Sequence, residues 1–369
     1  MNLSLPKVCI IGTSLAKGGA QRSVAVLSGM LYNLGYEVHV AILTNEIEYT
    51  YYGQLYNLGE EKEKANNPIS RFKRFRNFKN YLEKQAIDVV IDQRPKNNYY
   101  REVFYAKYLY KNINRIYVVQ NSKKSTYFAK PIEKMLKIYA SNFHNIGVSQ
   151  YITYELLLKQ GLPNSTYIPN AFLKKSIVKQ GKLPSELKNI KKFVLYYGRM
   201  DDQAKDIKFL LNAYTASNLW KKDVHLVVMG NGPDKANLVA HSYRLPSSEY
   251  IQFLAFQSSP FPVIEKAHAV ALTSRHEGFP LVLIESLATG TPVVSLDFIS
   301  GPSEVIQHGK NGLLVKNRSE SEFASALEEM CFNAELHTTC KANAEDSVDA
   351  YSGKEVAKLW DKLLRSLAK

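Results

Sequence analysis

Two glutamates stand eight positions apart in an otherwise mostly apolar stretch, SRHEGFPLVLIES. Pro280 suits the first position of a helix, and the pattern predicts that this helix runs to Thr289, with Glu277 in the preceding loop. Glu285 is then buried within the helix, where a carboxylate without partners costs several kcal/mol of stability. Two kinds of partner would satisfy it: the vicinal hydroxyls of a ribose, or the N–H groups of a neighbouring loop. The backbone amides at the start of the helix also favour an anion.

Two cations follow a predicted strand in the segment YYGRMDDQAKD. Arg199 and Lys205 lie beyond the end of strand 193–198, at the edge where doubly wound domains bind ligands. A guanidinium fork together with a lysine point charge suits a diphosphate, although the two cations considered alone favour a surface ion-pair role. The adjacent carboxylates of Asp201 and Asp202 favour a solvated turn over a metal site, because further ligands are absent from the pattern.

A glycine-bearing loop follows the first predicted strand in IGTSLAKGGAQRS. Gly18 and Gly19 let backbone N–H groups approach a ligand closely, and the helix that begins at about Ala20 favours an anion at its N-terminus. The loop has neither the G-x-G-x-x-G dinucleotide fingerprint nor the Walker A pattern. An ordinary tight turn is therefore an equal alternative, and Arg22 is as consistent with a structural cation as with a ligand contact.

Short β-branched runs alternate with helical patterns along the chain, which is typical of doubly wound domains with parallel sheets. We therefore predict an α/β protein with two tandem Rossmann-like domains and a ligand cleft between them. The predicted strands are 7–13, 37–44, 88–92, 115–120, 145–149, 193–198, 225–230, 250–254, 269–273, 292–295 and 312–315.

The predicted domains are separated by a segment rich in Lys, Gly, Pro and Ser. The first domain covers residues 1–173, the linker 174–190, and the second domain 191–350. The last segment, 351–369, spaces its apolar residues at helical intervals. We expect this helix to pack along the outside of the protein, either on the second domain or crossing back to the first.

Composition limits the class of protein. A chain of 369 residues with 45% hydrophobic and 22% charged residues is long enough for two globular domains. No run approaches the roughly 20 apolar residues of a membrane-spanning helix, and VCIIG near the start is too short for a secretory h-region. Cys9, Cys331 and Cys340 show no CxxC spacing, so neither a disulfide framework nor a zinc site is indicated. We expect a cytosolic protein.

The net charge of +14 lies almost entirely in the first half of the chain, where residues 1–175 hold 25 Lys and Arg against 12 Asp and Glu. Such asymmetry indicates an anionic partner, and nucleic acid and anionic lipid both qualify. The basic segment 68–85 predicts either a helix at a membrane surface or a helix whose phenylalanines pack on the sheet. Its apolar and basic residues are Ile69, Phe72, Phe75, Phe78, Leu82, Arg71, Lys73, Arg74, Arg76 and Lys79. A second basic stretch is NSKKSTYFAKPIEKMLK.

Together these motifs resemble those of the retaining glycosyltransferases of family 4, which have the two-domain GT-B fold. The resemblance covers essentially the whole chain, and its motifs are more specific in the second domain than in the first. The matching motifs are KGGAQR (17–22), GRMDDQAK (198–205), GNGP (230–233), EGFPLVLIE (277–285), which spans the E-x7-E motif of the family, and GPSEVIQHGKNGLLV (301–315).

The resemblance implies a role for each matching position. Arg199 and Lys205 would hold the diphosphate of a nucleotide sugar, and Glu285 would bind its ribose hydroxyls. Glu277 would contact the transferred sugar and, with Arg199 and Lys205, would complete the catalytic set. The remaining donor-binding positions would be Gly19, which faces the diphosphate from the first domain, and the backbone amides of Gly278, Phe279 and Leu281.

The resemblance also implies the type of catalysis. Such enzymes are metal-independent, front-face retaining catalysts in which the leaving phosphate accepts the proton of the acceptor. Preorganised donors then stabilise the charge on the departing nucleotide diphosphate. Many relatives carry a histidine after the fourth strand of the first domain, where this chain has Gln120 and Asn121. We assign these two residues to the acceptor side, near the donor sugar.

The sequence therefore predicts a retaining transferase that moves a hexose or N-acetylhexosamine from a UDP-sugar to a glycan. The expected acceptor is a lipid-linked oligosaccharide or a lipopolysaccharide or capsule precursor. We expect no cofactor, no metal and no nucleic acid, and a peripheral position on the inner face of the membrane. One alternative is a GT-B sugar-nucleotide epimerase, which needs acid and base residues around the sugar. Another is a non-catalytic polyanion-binding protein, which leaves Glu277 and Glu285 unexplained.

Overall fold

The chain folds into two compact units. Unit 1 comprises residues 1–171 with 352–369, and unit 2 comprises residues 172–351. Part of the predicted linker, residues 174–181, lies outside the described residues, and the rest of it belongs to unit 2. The computed structural model describes residues 5–173, 182–257 and 259–368.

Unit 1 is built on a parallel sheet, because its strands are apolar runs joined by helical crossovers. Its described strands are β1 (Val8–Gly12), β2 (Val38–Ile42), β3 (Gln54–Asn57), β4 (Val89–Asp92), β5 (Asn114–Val119), β6 (His144–Gly147) and β7 (Ser165–Tyr167). The order across the sheet is β3-β2-β1-β4-β5-β6-β7, and each neighbouring pair is parallel.

The helices of unit 1 cover this sheet. They are α1 (Gly19–Asn33), α2 (Leu58–Lys64), α3 (Pro68–Lys84), α4 (Tyr99–Phe104), α5 (Lys124–Tyr127) and α6 (Ile132–Ala140). The chain also forms π-helical turns at Tyr105–Leu109 and Ile152–Leu157.

Unit 2 repeats the same plan. Its described strands are β8 (Lys192–Tyr197), β9 (Val224–Met229), β10 (Ile251–Leu254), β11 (Ala269–Leu272), β12 (Val293–Leu296) and β13 (Gly312–Val315), in the parallel order β10-β9-β8-β11-β12-β13. Its helices are α7 (Asp202–Lys205), α8 (Ile207–Ala216), α9 (Lys235–Ser242), α10 (Phe261–Lys266), α11 (Leu281–Ala288), α12 (Pro302–Val305), α13 (Glu320–Phe332) and α14 (Ala334–Ala344).

Both sheets follow the Rossmann strand order, in which the winding reverses beside the first strand. The reversal falls between β1 and β4 in unit 1 and between β8 and β11 in unit 2. Ligands of such sheets bind at the carboxyl ends of the strands on either side of this point. The fold thus confirms the predicted pair of Rossmann-like domains and indicates which loops of each unit can form a site.

The last helix, α15 (Gly353–Arg365), follows unit 2 in the chain but belongs to unit 1. Its apolar face is buried, with Trp360 only 4% exposed. The Tyr36 hydroxyl donates to Asp361 Oδ1 at 2.8 Å.

Two strands that the sequence analysis missed lie at the edges of the first sheet. The sequences of β3 and β7 are QLYN and STY, and their side chains are only partly buried or exposed. An edge strand has a neighbour on one side only, so it needs no long apolar run, and the pattern that predicts buried strands does not detect it.

The basic helix α3 packs part of its apolar face in the core and leaves its first turns exposed. Phe78 and Leu82 are buried in the core of unit 1, and Arg74 is also buried. The Arg74 guanidinium faces Ala65 O at 3.4 Å, so this arginine is not available to a membrane. The first turns of the helix differ, because Ile69 is 81% exposed and Phe72 is 56% exposed.

A cluster of four buried charges closes the carboxyl end of β4. Arg94 Nη2 lies 2.5 Å from Asp92 Oδ2 and 3.2 Å from Glu102 Oε2, and Lys96 Nζ lies 3.1 Å from Asp92 Oδ1. None of the four side chains is more than 1% exposed. Burial raises the pKa of Asp92, but Arg94 and Lys96 outweigh it and hold the pKa at about 2. The carboxylate is therefore ionised at neutral pH, and two cations balance two anions.

We predict that Asp92→Asn destabilises unit 1 by about 3 to 5 kcal/mol, because it leaves buried cations without their central anion. Thermal unfolding of the full chain measures the change. Glu60→Gln is the control, since Glu60 belongs to an exposed ion pair with Lys64. Equal shifts of the unfolding temperature in the two variants would show that the buried cluster contributes no more to stability than an exposed ion pair.

Candidate active site

The loop that follows β8 is held in place by the turn that follows β9. Gly198 and Gly230 have φ angles of 151° and 150°, in the region that favours glycine. A Cβ atom on Gly230 would lie only 2.0 Å from Gly198 O. The two turns can therefore approach this closely only with a glycine at position 230. Met200 N also donates to Asn231 O at 2.8 Å. The GNGP motif therefore fixes the backbone that presents Arg199.

Lys205 and Glu277 are brought together at the carboxyl ends of β8 and β11. Lys205 ends α7, and its Nζ contacts Glu277 Oε1 directly. The Ser274 hydroxyl donates to the same Glu277 oxygen at 2.8 Å. The side chains of Lys205 and Glu277 are 21% and 17% exposed, so the pair is sheltered but still reachable from solvent. The two residues that the motifs predicted, 72 positions apart, thus meet at the switch point of the sheet.

Arg199 lies in the same loop with its side chain 67% exposed, and its Nε is 4.0 Å from Asp201 Oδ2. The neighbouring carboxylates have local partners: Asp201 Oδ1 accepts from Ala204 N at 3.3 Å, and Asp202 Oδ1 accepts from Lys208 N at 2.9 Å. Both aspartates therefore stabilise the turn, as the favoured alternative predicted. Among the residues that the structure describes, no three His, Cys, Asp or Glu side chains are grouped to hold a metal ion.

The loop that leads into α11 is buried at Gly278, Phe279 and Pro280. Phe279 is 6% exposed and packs edge-on against Tyr351, with ring centroids 5.2 Å apart. Gly278 O accepts from the Ser300 hydroxyl at 2.7 Å. The side chain of Phe279 is therefore not available to a ligand, and the predicted roles of the Gly278 and Phe279 amides stay predictions.

The Leu281 amide already donates a hydrogen bond within the protein. Leu281 N donates to Phe279 O at 2.9 Å, and Pro280 between them has φ −79° and ψ 79°, which is an inverse γ-turn. The helix consequently begins at Leu281, one residue later than the sequence predicted. The predicted phosphate contact of Leu281 requires this turn to open.

The buried carboxylate of Glu285 has a partner that the sequence analysis did not identify. Glu285 is 5% exposed, and the Tyr197 hydroxyl lies 3.1 Å from its Oε2 and 2.9 Å from Val282 O. Tyr197 is the last residue of β8 and is 7% exposed. A phenol hydroxyl has one proton, so this contact satisfies at most one of the carboxylate's several acceptor positions.

The glycine-bearing loop of unit 1 already holds side-chain partners. Lys17 N faces Glu48 Oε2 at 3.3 Å, and Gly18 N donates to the Tyr49 hydroxyl at 3.2 Å. Helix α1 begins at Gly19, which is exposed. The role of Gly19 toward a diphosphate stays a prediction.

Gln120 is locked in a buried amide cluster at the carboxyl edge of the first sheet. Its Nε2 donates to Gln93 Oε1 at 2.8 Å, and its Oε1 accepts from Asn170 Nδ2 at 2.8 Å. The Ser23 hydroxyl lies 3.2 Å from both Gln120 Nε2 and Gln93 Oε1. Asn121 instead accepts from Lys123 N at 2.8 Å. Gln120 therefore orders the edge of the sheet, and its amide is not presented to an acceptor.

The sequence analysis missed Tyr197 and Ser300 because their partners are distant in the chain. One signal was present for Tyr197. In the strand sequence KFVLYY the two tyrosines must point to opposite faces, so one of them had to face the helix that contains Glu285.

Comparisons with known proteins identify relatives of this chain. Residues 181–347 match the family model described as glycosyl transferases group 1. The chain is 27% identical over 378 residues to the N-acetylgalactosamine-N,N'-diacetylbacillosaminyl-diphospho-undecaprenol 4-alpha-N-acetylgalactosaminyltransferase of Campylobacter jejuni, covering 96% of this chain and 98% of the relative. It is 35% identical over 126 residues to the lipopolysaccharide 1,6-galactosyltransferase of Escherichia coli, covering 33% and 34% of the two chains.

Solved structures share the fold over almost the whole chain. One is a mutant of TarM from S. aureus in complex with Fondaparinux, alpha-GlcNAc-glycerol and UDP. It superposes with a TM-score of 0.78 at 15% identity, and the superposition covers 98% of this chain and 100% of that chain. HepE from Anabaena, in complex with UDP and glucose, superposes with a TM-score of 0.77 at 16% identity, covering 98% and 100% of the two chains.

The two Rossmann-like units share the GT-B fold with these structures. Residues 181–347 match the glycosyl transferases group 1 family model, and with the named relatives this match identifies the chain as a glycosyltransferase. The non-catalytic alternative from the sequence is therefore wrong.

We predict that Glu285→Ala lowers the affinity for UDP roughly 10-fold or more, because a hydrogen bond to a charged group contributes about 1.5 to 3 kcal/mol. Tyr197→Phe should act in the same direction but more weakly, since it only frees the carboxylate to move. Isothermal titration calorimetry measures both. Glu335→Ala, at an exposed position of the same unit, is the control. Unchanged UDP affinity in Glu285→Ala would contradict ribose binding by this residue.

Proposed function

We propose that the enzyme transfers a hexose or N-acetylhexosamine from a UDP-sugar, with retention, to a lipid-linked or lipopolysaccharide-type glycan precursor. The observation that carries this proposal is the contact between Lys205 and Glu277, together with the buried Glu285 that meets Tyr197 at the end of β8. These residues place a cation, a partly exposed carboxylate and a buried carboxylate at the carboxyl ends of β8 and β11. A nucleotide sugar offers a diphosphate, a sugar and a ribose, which match the three groups in charge and hydrogen-bonding type.

The donor end of the proposal rests on electrostatics. When the bond between the sugar C1 and the diphosphate oxygen breaks, negative charge develops on that oxygen. The ammonium of Lys205 and the exposed guanidinium of Arg199 are the cations of this loop that can stabilise the charge. An ammonium has three donor hydrogens, so Lys205 can bond Glu277 and a phosphate oxygen together. Glu277 would thereby orient the lysine as well as contact the sugar.

Retention is proposed as a front-face substitution. The acceptor oxygen forms its bond to C1 on the face that the diphosphate leaves, and the acceptor proton passes to the departing phosphate oxygen. No protein base is then required, and neither is a metal ion. The C. jejuni relative is named as an alpha-transferase, and retention by an α-linked donor gives an α-linkage.

Relatives support the class of acceptor and of donor. One similar protein is named for a diphospho-undecaprenol acceptor and another for lipopolysaccharide. Two structures with this fold are described with UDP. The epimerase alternative gains no support, because the named relatives are transferases.

The acceptor class suggests how the enzyme would meet a membrane. None of the helices in the described residues is long and apolar enough to cross one. The exposed start of α3 carries Ile69 and Phe72, flanked by exposed Arg71, Lys73 and Arg76. Apolar side chains between cations suit the surface of an anionic bilayer, so we propose peripheral association through this surface.

We predict that Arg199→Ala and Lys205→Ala each lower turnover by about 100- to 1,000-fold, because a lost donor to a developing charge costs about 2.7 to 4 kcal/mol. The assay follows glycosyl transfer after a screen of nucleotide sugars has identified the donor. Arg244→Ala, at an exposed position of unit 2, is the matched control. A loss below 10-fold in both variants would mean that the diphosphate binds elsewhere.

We predict that replacing Ile69 and Phe72 by Ser, or Arg71, Lys73 and Arg76 by Glu, releases the protein from anionic vesicles. Flotation with vesicles that contain phosphatidylglycerol measures binding. Leu34→Ser, which changes an exposed apolar residue elsewhere on unit 1, is the control and should bind as the parent does. If all variants still float with the vesicles, the start of α3 is not the surface that binds the membrane.

A further inference from the structure

The loops that carry Lys205 and Glu277 are joined to each other by their backbones. Arg275 N donates to Ala204 O at 2.9 Å. The Thr273 hydroxyl lies 3.1 Å from Lys205 O and 3.0 Å from Asp206 O, and Thr273 is fully buried. The geometry of the Lys205–Glu277 pair therefore depends on how these two loops are held, and not only on the two side chains.

Asp206 is the acid at the centre of this junction. It directly follows Lys205 and has a left-handed backbone, with φ 52° and ψ 50°. Its Oδ2 lies 2.6 Å from Arg318 Nη1 and 2.9 Å from Arg275 Nη2. The Asp206 side chain is only 8% exposed, so one sheltered carboxylate pairs with two guanidinium groups. This pairing fixes the end of the loop on which Lys205 stands.

Arg318 bonds to both loops at once. It lies beyond the end of β13, 112 positions from Asp206 in the chain. Besides Asp206, its Nη1 donates to Thr273 O at 3.0 Å and its Nη2 donates to Ser274 O at 2.7 Å. Ser274 in turn donates through its hydroxyl to Glu277 at 2.8 Å. A continuous set of contacts thus leads from Arg318 to each member of the Lys205–Glu277 pair.

The chemistry of this position needs arginine. The planar guanidinium offers fixed donors on two nitrogens, and here one edge meets a carboxylate and the other reaches a backbone carbonyl. A lysine could keep the charge opposite Asp206, but a single ammonium on a flexible stem does not reproduce this fork. The side chain is 31% exposed, and its hydrogen bonds go to the Asp206 carboxylate and to the backbone carbonyls of Thr273 and Ser274. Its effect on the Lys205–Glu277 pair therefore passes through these two loops.

We propose that Arg318 is a positioning residue for glycosyl transfer. Through Asp206, Thr273 and Ser274 it keeps the Lys205 and Glu277 side chains in contact with each other. This inference rests on the proposed role of that pair in donor binding. Arg318 itself touches neither the diphosphate nor the sugar. Loss of its contacts lets the two loops separate, and a misplacement of about 1 Å can lower a rate by about 100-fold.

A double-mutant cycle between Arg318 and Lys205 tests the proposal. Arg318→Ala should lower kcat/KM by roughly 10- to 100-fold, and Arg318→Lys should recover only part of it. In a Lys205→Ala background, Arg318→Ala should cost less than 3-fold, because its effect passes through the residue already removed. Arg244→Ala should be neutral in both backgrounds. Equal losses in the two backgrounds would overturn the proposal, since they would reveal general damage to unit 2.

A crystal structure of Arg318→Ala separates this inference from the proposed function. We expect the Lys205 Nζ to Glu277 Oε1 contact to be lost in the variant and kept in Arg244→Ala. A preserved contact overturns the positioning role even if the wild-type enzyme transfers sugar as proposed. Conversely, a wild-type enzyme that transfers no sugar from any nucleotide donor refutes the proposed function, whatever the variant structure shows.

Discussion

The contact between the Lys205 ammonium and the Glu277 carboxylate is the interaction on which the site depends. It joins the loops that follow β8 and β11, which are adjacent strands only because the winding of the sheet reverses there. A partly sheltered ion pair gains more from Coulomb attraction than an exposed one, yet it must lose part of its hydration. The surrounding hydrogen bonds offset this loss, with Ser274 donating to Glu277. The pair is therefore held by its own contacts, and both side chains are still partly exposed to solvent.

Glu285 is also a charged side chain that loses hydration on folding, and it is buried more deeply than the Lys205–Glu277 pair. The residue is nearly fully buried, and the hydroxyl of Tyr197 satisfies part of its hydrogen-bonding capacity. A leucine would pack in α11 without that cost, so stability alone does not account for a carboxylate there. Under the proposed function, the two ribose hydroxyls of a nucleotide sugar would donate to this carboxylate. The four buried charges at the end of β4 in unit 1 differ, since they form ion pairs with one another.

Much of the fold was predictable because parallel strands buried on both faces are continuous apolar runs, such as VCIIG and VHLVVM. The short edge strands β3 and β7 carry no such run and were missed. In the site, Lys205, Glu277 and Glu285 were predictable from motif spacing. Arg318 was not, because its partners are set by strand order rather than by local sequence. The replacement of histidine by Gln120 was visible in the sequence, but its amide cluster with Gln93 and Asn170 was not.

The most direct test of the account is a crystal structure of the enzyme with UDP. The account predicts that the diphosphate lies within hydrogen-bond distance of Lys205 and Arg199 and that both ribose hydroxyls donate to Glu285. Density for UDP away from the loops that follow β8 and β11, or a ribose that does not contact Glu285, would contradict it.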